Sequence, residues 1–332
     1  MNDIQSAFSE LRLSEAVTHE NLTMHRLVRG ISFQKDYLTL DEALKQGLAR
    51  VTEVSESGSV PQLLLRNQGE QAVFLLDGEE LVGAKQNRVL NITILAPAKR
   101  DTIIPVSCVE AGRWHHNSPE FSSAPRAQFS EGRARKAARV TANLETWSMP
   151  RSDQSEVWDD INIKMSRMGS HSQTSAQEKM YQDHSGKLDD YVKAFGGLSG
   201  QVGGIFNVRG RLAGMEMFDN DETAEQLMPK IVRSYALDAI DPGYSGGSDS
   251  PHESPERFLE RLGETAFSRH RSIGEGEDFR FEPALGIAGG ALFARDRVVH
   301  LCAFAVQQGR HRGHGNGYRT PASARRPYRR AG

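Results

Sequence analysis

Three short apolar runs, separated by dense clusters of polar residues, constrain the fold of this chain more than any other feature. The runs span residues 72–76, 89–96 and 102–109, and each has the length and composition of a β-strand. Charged and amide side chains lie between the first two runs and again directly after the third. Because strands that follow one another in sequence usually lie side by side, these polar groups are expected to gather at the ends or on one face of a sheet. The stretch therefore predicts a polar site without indicating its chemistry.

The third run, residues 102–109, indicates which side chains share a face. Side chains alternate between opposite faces of a strand, so Ile104, Val106 and Cys108 are expected to point the same way. Glu110 continues this series and is expected about 7 Å from Cys108 along the strand. A neighbouring carboxylate raises the pKa of a thiol. We therefore interpret Cys108 as a core residue, because a nucleophilic thiol needs an electropositive and partly open setting.

Hairpins and helices alternate in the remainder of the chain. The patterns predict two hairpins, over residues 201–218 with a turn at Arg209-Gly210 and over 288–304 with a turn at Arg295-Asp296. Helices are predicted over residues 130–144, 155–195 with a polar break at 169–175, 219–239 and 255–270. This mixture predicts an α+β fold, in which a mostly antiparallel sheet or sandwich carries inserted helices within a single continuous domain.

Composition divides the chain into three segments. Residues 1–20 form a polar N-terminal lead-in with a helical pattern, residues 21–304 form the domain, and residues 305–332 form an arginine-rich tail that is expected to be disordered. Residues 307–332 contain seven arginines and no acid although the whole chain carries a net charge of −2, so the body is acidic. An inert extension, a contact with nucleic acid and an altered terminus remain open as interpretations of the tail.

The composition is that of a globular protein in a reducing compartment. Of 332 residues, 38% are hydrophobic and 25% charged, and no apolar run approaches the roughly 20 residues that span a bilayer. Without a secretory pattern, a cytoplasmic location is expected and a membrane partner is not. Cys108 and Cys302 lie in apolar runs, which argues against a disulfide framework. No zinc motif occurs, and His115 and His116 would need a third ligand, so no metal is indicated. The sequence leaves any cofactor unknown.

A basic cluster marks the helix predicted over residues 130–144. It contains Arg133, Arg135, Lys136 and Arg139. The interpretation we favour is a solvated helix face. The alternative is a face that contacts an anion, because arginine matches the geometry of phosphate and carboxylate groups.

Several blocks of the sequence agree, in order, with a known family. They are DGEELVGAKQNRVLN, IPVSCVEAGRW, SDQSEVW, IFNVRGRLAGMEMFD, KIVRSYALDA and DRVVHLCAF. Together they resemble the domain named for its association with ADP-ribosylglycohydrolase and rhodanese-phosphatase proteins, over residues 21–304. The resemblance implies one continuous domain and a link to the metabolism of ADP-ribose or NAD-derived compounds. It implies no established reaction, and the tail lies outside it.

The polar residues of the central stretch provide the candidate site. Two carboxylates could act as general acid and base, while cations, an amide and an indole could bind an anionic ring-containing substrate. The catalytic candidates are Glu80 and Glu110, and the substrate-binding candidates are Lys85, Asn87, Arg88, Arg113 and Trp114.

Two functions fit this set. The first is an enzyme that hydrolyses or processes an ADP-ribose, NAD-derived or other nucleotide-like compound. The second is a non-catalytic module that binds such a ligand or a protein. Each residue also has a structural interpretation: Glu110 could pair with Arg113 to hold the end of the strand, and Trp114 could be a core or rim aromatic. A third function, nucleic-acid binding, is expected only through the basic tail.

Overall fold

The structure, a computed structural model, describes residues 3–30, 32–55, 58–115, 118–197, 199–250, 253–282 and 286–307. It confirms the α+β class and the predominance of antiparallel pairing. Within these residues the strands form an eight-stranded sheet, a closed six-stranded barrel and a three-stranded sheet. None of the described helices is long and apolar enough to cross a membrane. The tail lies outside the described residues from position 308 onward.

The described residues form eight helices and seventeen strands. The helices are α1 Asp3–Ser9, α2 Leu40–Lys45, α3 Ser130–Trp147, α4 Gln154–Met168, α5 Glu178–Asp183, α6 Ser185–Ala194, α7 Asp221–Ile240 and α8 Pro255–Glu264. The first eleven strands are β1 Leu11–His19, β2 Leu22–Arg29, β3 Tyr37–Thr39, β4 Ala49–Glu53, β5 Gln62–Asn67, β6 Ala72–Leu75, β7 Glu79–Gly83, β8 Arg88–Leu90, β9 Ile94–Ala96, β10 Arg100–Cys108 and β11 Phe121–Ala127. The last six are β12 Gln201–Val208, β13 Arg211–Phe218, β14 Phe267–Arg271, β15 Glu277–Phe281, β16 Ile287–Ala294 and β17 Arg297–Ala305.

The eight-stranded sheet has the order β1-β2-β12-β13-β17-β16-β15-β14, and all neighbours are antiparallel. Both predicted hairpins are confirmed, as β12–β13 and β16–β17. Their turns contain Arg209, Arg295 and Asp296 at positive φ, as tight connections between antiparallel strands require. The helices α3 and α7 pack on this sheet, and α7 also contacts strand β11 of the barrel.

The barrel has the strand order β10-β5-β4-β11-β7-β8, closing between β8 and β10. Side chains alternate between the inside and the outside along each strand, and those that point inward fill the interior of the barrel. These apolar side chains form one buried cluster, which includes Val51, Leu63, Leu65, Leu81, Leu90, Ile104, Val106 and Phe121. The predicted common face of Ile104, Val106 and Cys108 is therefore the interior of the barrel.

Three sequence-based assignments differ from the structure. Part of the lead-in, predicted to be helical, is the strand β1, which pairs with β2. The run 89–96 is two strands, because β8 belongs to the barrel and β9 to the small sheet beside β6. The helix predicted to reach residue 270 ends at Glu264, and Phe267 then pairs in β14 with its ring 5.0 Å from that of Phe281. In each case the assignment depends on pairing with another strand, which the periodicity within the segment itself does not indicate.

The basic helix is confirmed as α3, but its predicted solvated face is wrong for two of its cations. Arg133 is 0% exposed and Lys136 is 2% exposed. They pair with Glu216 at 2.6 Å and with Asp77 at 2.8 Å, which compensates for the loss of hydration. These acids lie far along the chain or in another element, so a local helical pattern could not identify them.

Candidate functional site

Three connections meet at one end of the barrel: β4–β5, β7–β8 and β10–β11. The register shows this directly, because Cys108 at the end of β10 pairs with Arg88 at the start of β8, and Glu53 at the end of β4 pairs with Leu63 near the start of β5. Polar side chains replace the apolar filling of the barrel at this end. We call this end the barrel mouth and define it by Glu53, Lys85, Arg88, Cys108 and Trp114.

Arg88 is the most unusual group at the barrel mouth. The residue is 0% exposed, yet its Nε and Nη2 have no hydrogen-bond partner. Its Nη1 donates to Oε1 of Gln86 at 3.0 Å and to the carbonyl oxygen of Asn87 at 3.5 Å. Burial lowers the pKa of Arg88, and the neighbouring Cys108 and Glu53 offset part of that effect.

Other buried arginines in the described part of the chain have carboxylate partners, whereas none of the ion pairs found there includes Arg88. Their N–O distances lie between 2.5 and 3.1 Å. The pairs are Arg26–Glu15, Arg29–Glu10, Arg113–Glu110, Arg126–Glu80, Arg133–Glu216 and Arg280–Asp278. A buried cation without a counterion is costly, so Arg88 is the described guanidinium best suited to take an anion from outside the protein.

Glu53 is a residue that the sequence analysis did not select. Both of its carboxylate oxygens are buried without a hydrogen-bond partner. Glu53 follows Ala49 and Val51 at the inward-facing positions of β4, so its side chain enters the same interior as Arg88. The alternation in residues 49–53 was the signal that could have identified it, since it places a carboxylate in an apolar series.

Lys85 and Trp114 complete the barrel mouth. The Lys85 Nζ lies 5.3 Å from the centre of the Trp114 ring, and the Arg88 Cζ lies 5.8 Å from it. Both distances are within the range of cation–π attraction. Trp114 is 48% exposed, so much of the indole remains accessible. The structure thus brings Lys85, Arg88 and Trp114 together, as the sequence hypothesis required.

Glu110 and Arg113 lie beside the barrel mouth and bind the β7–β8 turn. Glu110 accepts hydrogen bonds from the Asn87 backbone N–H at 3.1 Å and from Thr174 Oγ1 at 2.9 Å, as well as from Arg113. Burial acts to raise the pKa of Glu110, but these hydrogen bonds outweigh it and the pKa is lowered. The Glu110 carboxylate is therefore ionised and already occupied by protein donors.

Asn87 belongs to the same hydrogen-bond network as Glu110 and Arg113. Its Oδ1 accepts from Arg113 Nη2 at 3.0 Å, and its Nδ2 donates to Glu178 at 3.2 Å. Because both ends of the amide are bonded to protein groups, Asn87 orients the turn rather than pointing into the barrel mouth.

Glu80 lies on the other side of the barrel wall. Leu81 pairs with the inward-facing Arg88, so the preceding residue of β7 faces outward. There, Glu80 accepts from Arg126 Nε at 2.8 Å and Nη2 at 3.0 Å, and from Gln177 at 2.7 Å. The structure therefore does not bring Glu80 and Glu110 together around one space.

Cys108 is buried within the barrel mouth. Its sulfur lies 3.2 Å from both Gln86 Oε1 and the Glu110 carbonyl oxygen, either of which can accept the single thiol hydrogen. Burial raises the pKa of Cys108 more than the adjacent Arg88 lowers it. The main cause is thus desolvation rather than the Glu110 carboxylate, and the thiol is kept protonated.

A second set of charged residues lies entirely inside the protein. Arg133 binds Glu216, Lys136 binds Asp77, and His300 Nε2 lies 3.1 Å from Glu216 Oε2. All five residues are at most 2% exposed. Because this network joins α3 to β13, β17 and the chain before β7, we assign it to the stability of the fold.

Metal binding receives no support from the described side chains. No group of three or more His, Cys, Asp or Glu residues among them is placed to hold a metal ion. Of the adjacent histidines considered above, His116 lies outside the described residues.

Comparison with known proteins identifies the domain. The family model of the ARG and Rhodanese-Phosphatase-superfamily-associated Protein domain matches residues 10–304. The chain belongs to this family. The match confirms the resemblance drawn from the sequence blocks and extends it to strand β1. No curated protein and no solved structure matches the chain significantly. The description of this family names no reaction and no ligand.

Proposed function

We propose that the barrel mouth binds a small anionic ligand of the nucleotide-derived kind, with Arg88 as its principal contact. One observation carries the proposal: Arg88 is fully buried, and two of its guanidinium nitrogens have no hydrogen-bond partner. A buried charge of this kind is stabilised when an anion pairs with it. The planar guanidinium offers parallel donors that match two oxygens of a phosphate group.

Lys85 and Trp114 favour a ligand that carries a ring as well as an anion. Lys85 adds a second positive charge near the same indole, 5.3 Å from its centre. The exposed part of Trp114 offers an apolar surface on which a base or sugar ring can stack. The family name associates these domains with ADP-ribosylglycohydrolase proteins, which supports ADP-ribose and NAD as the first compounds to test.

Binding is better supported than acid–base catalysis. A general acid or base must reach the proton that it transfers. Glu80 is held by Arg126 and Gln177, and Glu110 by Arg113 and the Asn87 backbone. We therefore propose a ligand-binding module in an ADP-ribose-linked or NAD-linked process rather than a hydrolase built on these carboxylates.

The cytoplasm is the compartment that we propose for this activity. Cys108 and Cys302 are both free, buried thiols. The cytosol keeps thiols reduced, whereas secreted domains usually pair them.

Calorimetric titration tests the proposed function. ADP-ribose, NAD and inorganic pyrophosphate are titrated into the parent protein, the Arg88→Met variant and the Arg50→Met variant. Arg50 is the matched control because its side chain is 61% exposed and pairs with Glu120 at the surface. Loss of a charge-assisted contact is expected to weaken binding at least about tenfold in Arg88→Met, with no change in Arg50→Met. Absence of binding to all three compounds by the parent, or equal binding by Arg88→Met, would overturn the proposal.

A further inference from the structure

Glu53 and Arg88 present unused hydrogen-bonding atoms to the same interior. Glu53 offers two acceptor oxygens and Arg88 two donor nitrogens, all buried and all without a partner. Glu53 acts electrostatically on Arg88, because it is among the charges that offset part of the lowering of the Arg88 pKa by burial. They nevertheless form no ion pair within the described part of the chain. A gap therefore separates an acceptor from a donor that would otherwise satisfy each other.

Gln86 explains why the two groups stay apart. Its Oε1 accepts from Arg88 Nη1 at 3.0 Å, and its Nε2 donates to the Glu110 carbonyl oxygen at 2.9 Å. The guanidinium is thereby tied to the β10 side of the barrel mouth, while Glu53 projects from β4. Such a fixed arrangement is suited to a ligand that inserts between the two groups.

Gly58 lies close to the side chains of both Glu53 and Lys85. A Cβ atom at Gly58 would lie 3.4 Å from Glu53 Oε2 and 3.4 Å from Lys85 Nζ. The acid and the second cation therefore border a common point on the rim. A ligand beside the Glu53 carboxylate would therefore also lie near the Lys85 ammonium group.

We infer that Glu53 accepts hydrogen bonds from hydroxyl groups of the ligand, so that the barrel mouth selects phosphorylated sugars over simple anions. This inference rests on the proposed function, because it assigns the anionic group of the same ligand to Arg88. A phosphate on Arg88 uses the donors, and a sugar hydroxyl on Glu53 uses the acceptors. A carboxylate is a suitable acceptor for sugar hydroxyls, as in dinucleotide-binding folds where an acidic residue binds the ribose. An anion without hydroxyl groups would leave Glu53 unpaired and would be repelled by it.

Two compounds that each carry one phosphate monoester group test the inference. Ribose 5-phosphate carries hydroxyl groups and methyl phosphate carries none, and each is titrated calorimetrically into the parent protein. The parent is expected to bind ribose 5-phosphate about tenfold more tightly. Glu53→Gln is expected to abolish this preference, mainly by weakening ribose 5-phosphate binding. Glu120→Gln is the control, because Glu120 is a surface acid with a side chain 42% exposed.

The outcomes separate the inference from the proposed function. Equal affinity of the parent for the two esters would overturn the inference, and this measurement does not depend on the folding of any variant. An unchanged preference in Glu53→Gln would overturn it as well. If either of these results is obtained and Arg88→Met no longer binds the two esters, the inference fails while the proposed function is supported. If the parent binds neither ester nor ADP-ribose, the proposed function itself fails.

Discussion

Arg113 holds Glu110 through two guanidinium nitrogens, with Nε 2.9 Å and Nη2 2.7 Å from Oε2. The third nitrogen, Nη1, donates to the Ala84 carbonyl oxygen at 2.7 Å. Glu110, which the sequence suggested as a catalytic residue, and Arg113, suggested as a substrate contact, therefore hold the turn between β7 and β8 in place. That turn carries Lys85 and leads into Arg88, so Glu110 and Arg113 are positioning residues for the barrel mouth.

The contrast between Arg88 and Arg113 leads to a first prediction. Arg88→Met removes a buried cation that has no carboxylate partner, so the free energy of unfolding should fall by less than about 1 kcal/mol or should rise. Arg113→Met, the matched control, leaves the Glu110 carboxylate buried without its counterion and should lower the free energy of unfolding by about 3–5 kcal/mol. Urea unfolding followed by circular dichroism measures both values. Equal destabilisation by the two substitutions would contradict the distinction between them.

The lowered pKa of Glu110 predicts a specific dependence of stability on pH. The unfolded carboxyl titrates near 4.5, above the folded group, so the stabilisation is complete above that value and is lost as pH falls through the folded pKa. The difference in unfolding free energy between the parent and Glu110→Gln should therefore be greatest above about pH 5 and should shrink toward pH 3. Urea titrations at fixed pH values measure it. A difference that is constant over this range would show that the charge of Glu110 is not the cause.

The internal ion network predicts a large loss of stability when one of its charged residues is replaced by an uncharged one. Glu216→Gln leaves Arg133 buried without its main counterion, and the expected loss of unfolding free energy is about 3–5 kcal/mol. Glu260→Gln breaks the exposed pair with Arg257, in which both side chains are 62% exposed, and should cost less than about 1 kcal/mol. Chemical denaturation of the two variants provides the comparison. Similar small losses of unfolding free energy in both variants would show that the network does not contribute substantially to stability.

Both cysteines should be unreactive in the folded protein. Cys108 is 0% and Cys302 2% exposed, and burial is the main cause that raises the pKa of each thiol. Labelling with a chromogenic disulfide reagent at pH 8 should be slow until guanidinium chloride unfolds the chain, and two thiols should then react. Cys302→Ala assigns the remaining signal to Cys108. Rapid labelling of that variant in the native state would indicate an accessible, activated thiol at the barrel mouth.

Local pattern was sufficient for much of the fold. The alternation in residues 102–109 identified the inward face of β10, and the hairpins β12–β13 and β16–β17 followed from apolar runs around short turns. The composition of the central stretch also identified Lys85, Arg88 and Trp114, and the structure places the two cations 5.3 and 5.8 Å from the centre of the indole ring. These features depend on neighbours in sequence, and the two-residue period of a strand records them directly.

Contacts between strands and helices distant in sequence decided which charged side chains come together. Whether Glu80 faces the interior or the outside depends on its pairing with Val89 in β8, and Glu53 joins the barrel mouth only because β4 closes against β5 and β11. Arg133 is buried because Glu216, 83 residues away, supplies its charge partner. The sequence determined the types of element and the chemistry available, since these are set by local residue order. The tertiary structure decided which charges are paired and which, like that of Arg88, have no ion-pair partner among the described residues, because the free energy of a buried charge depends on groups that only folding brings near it.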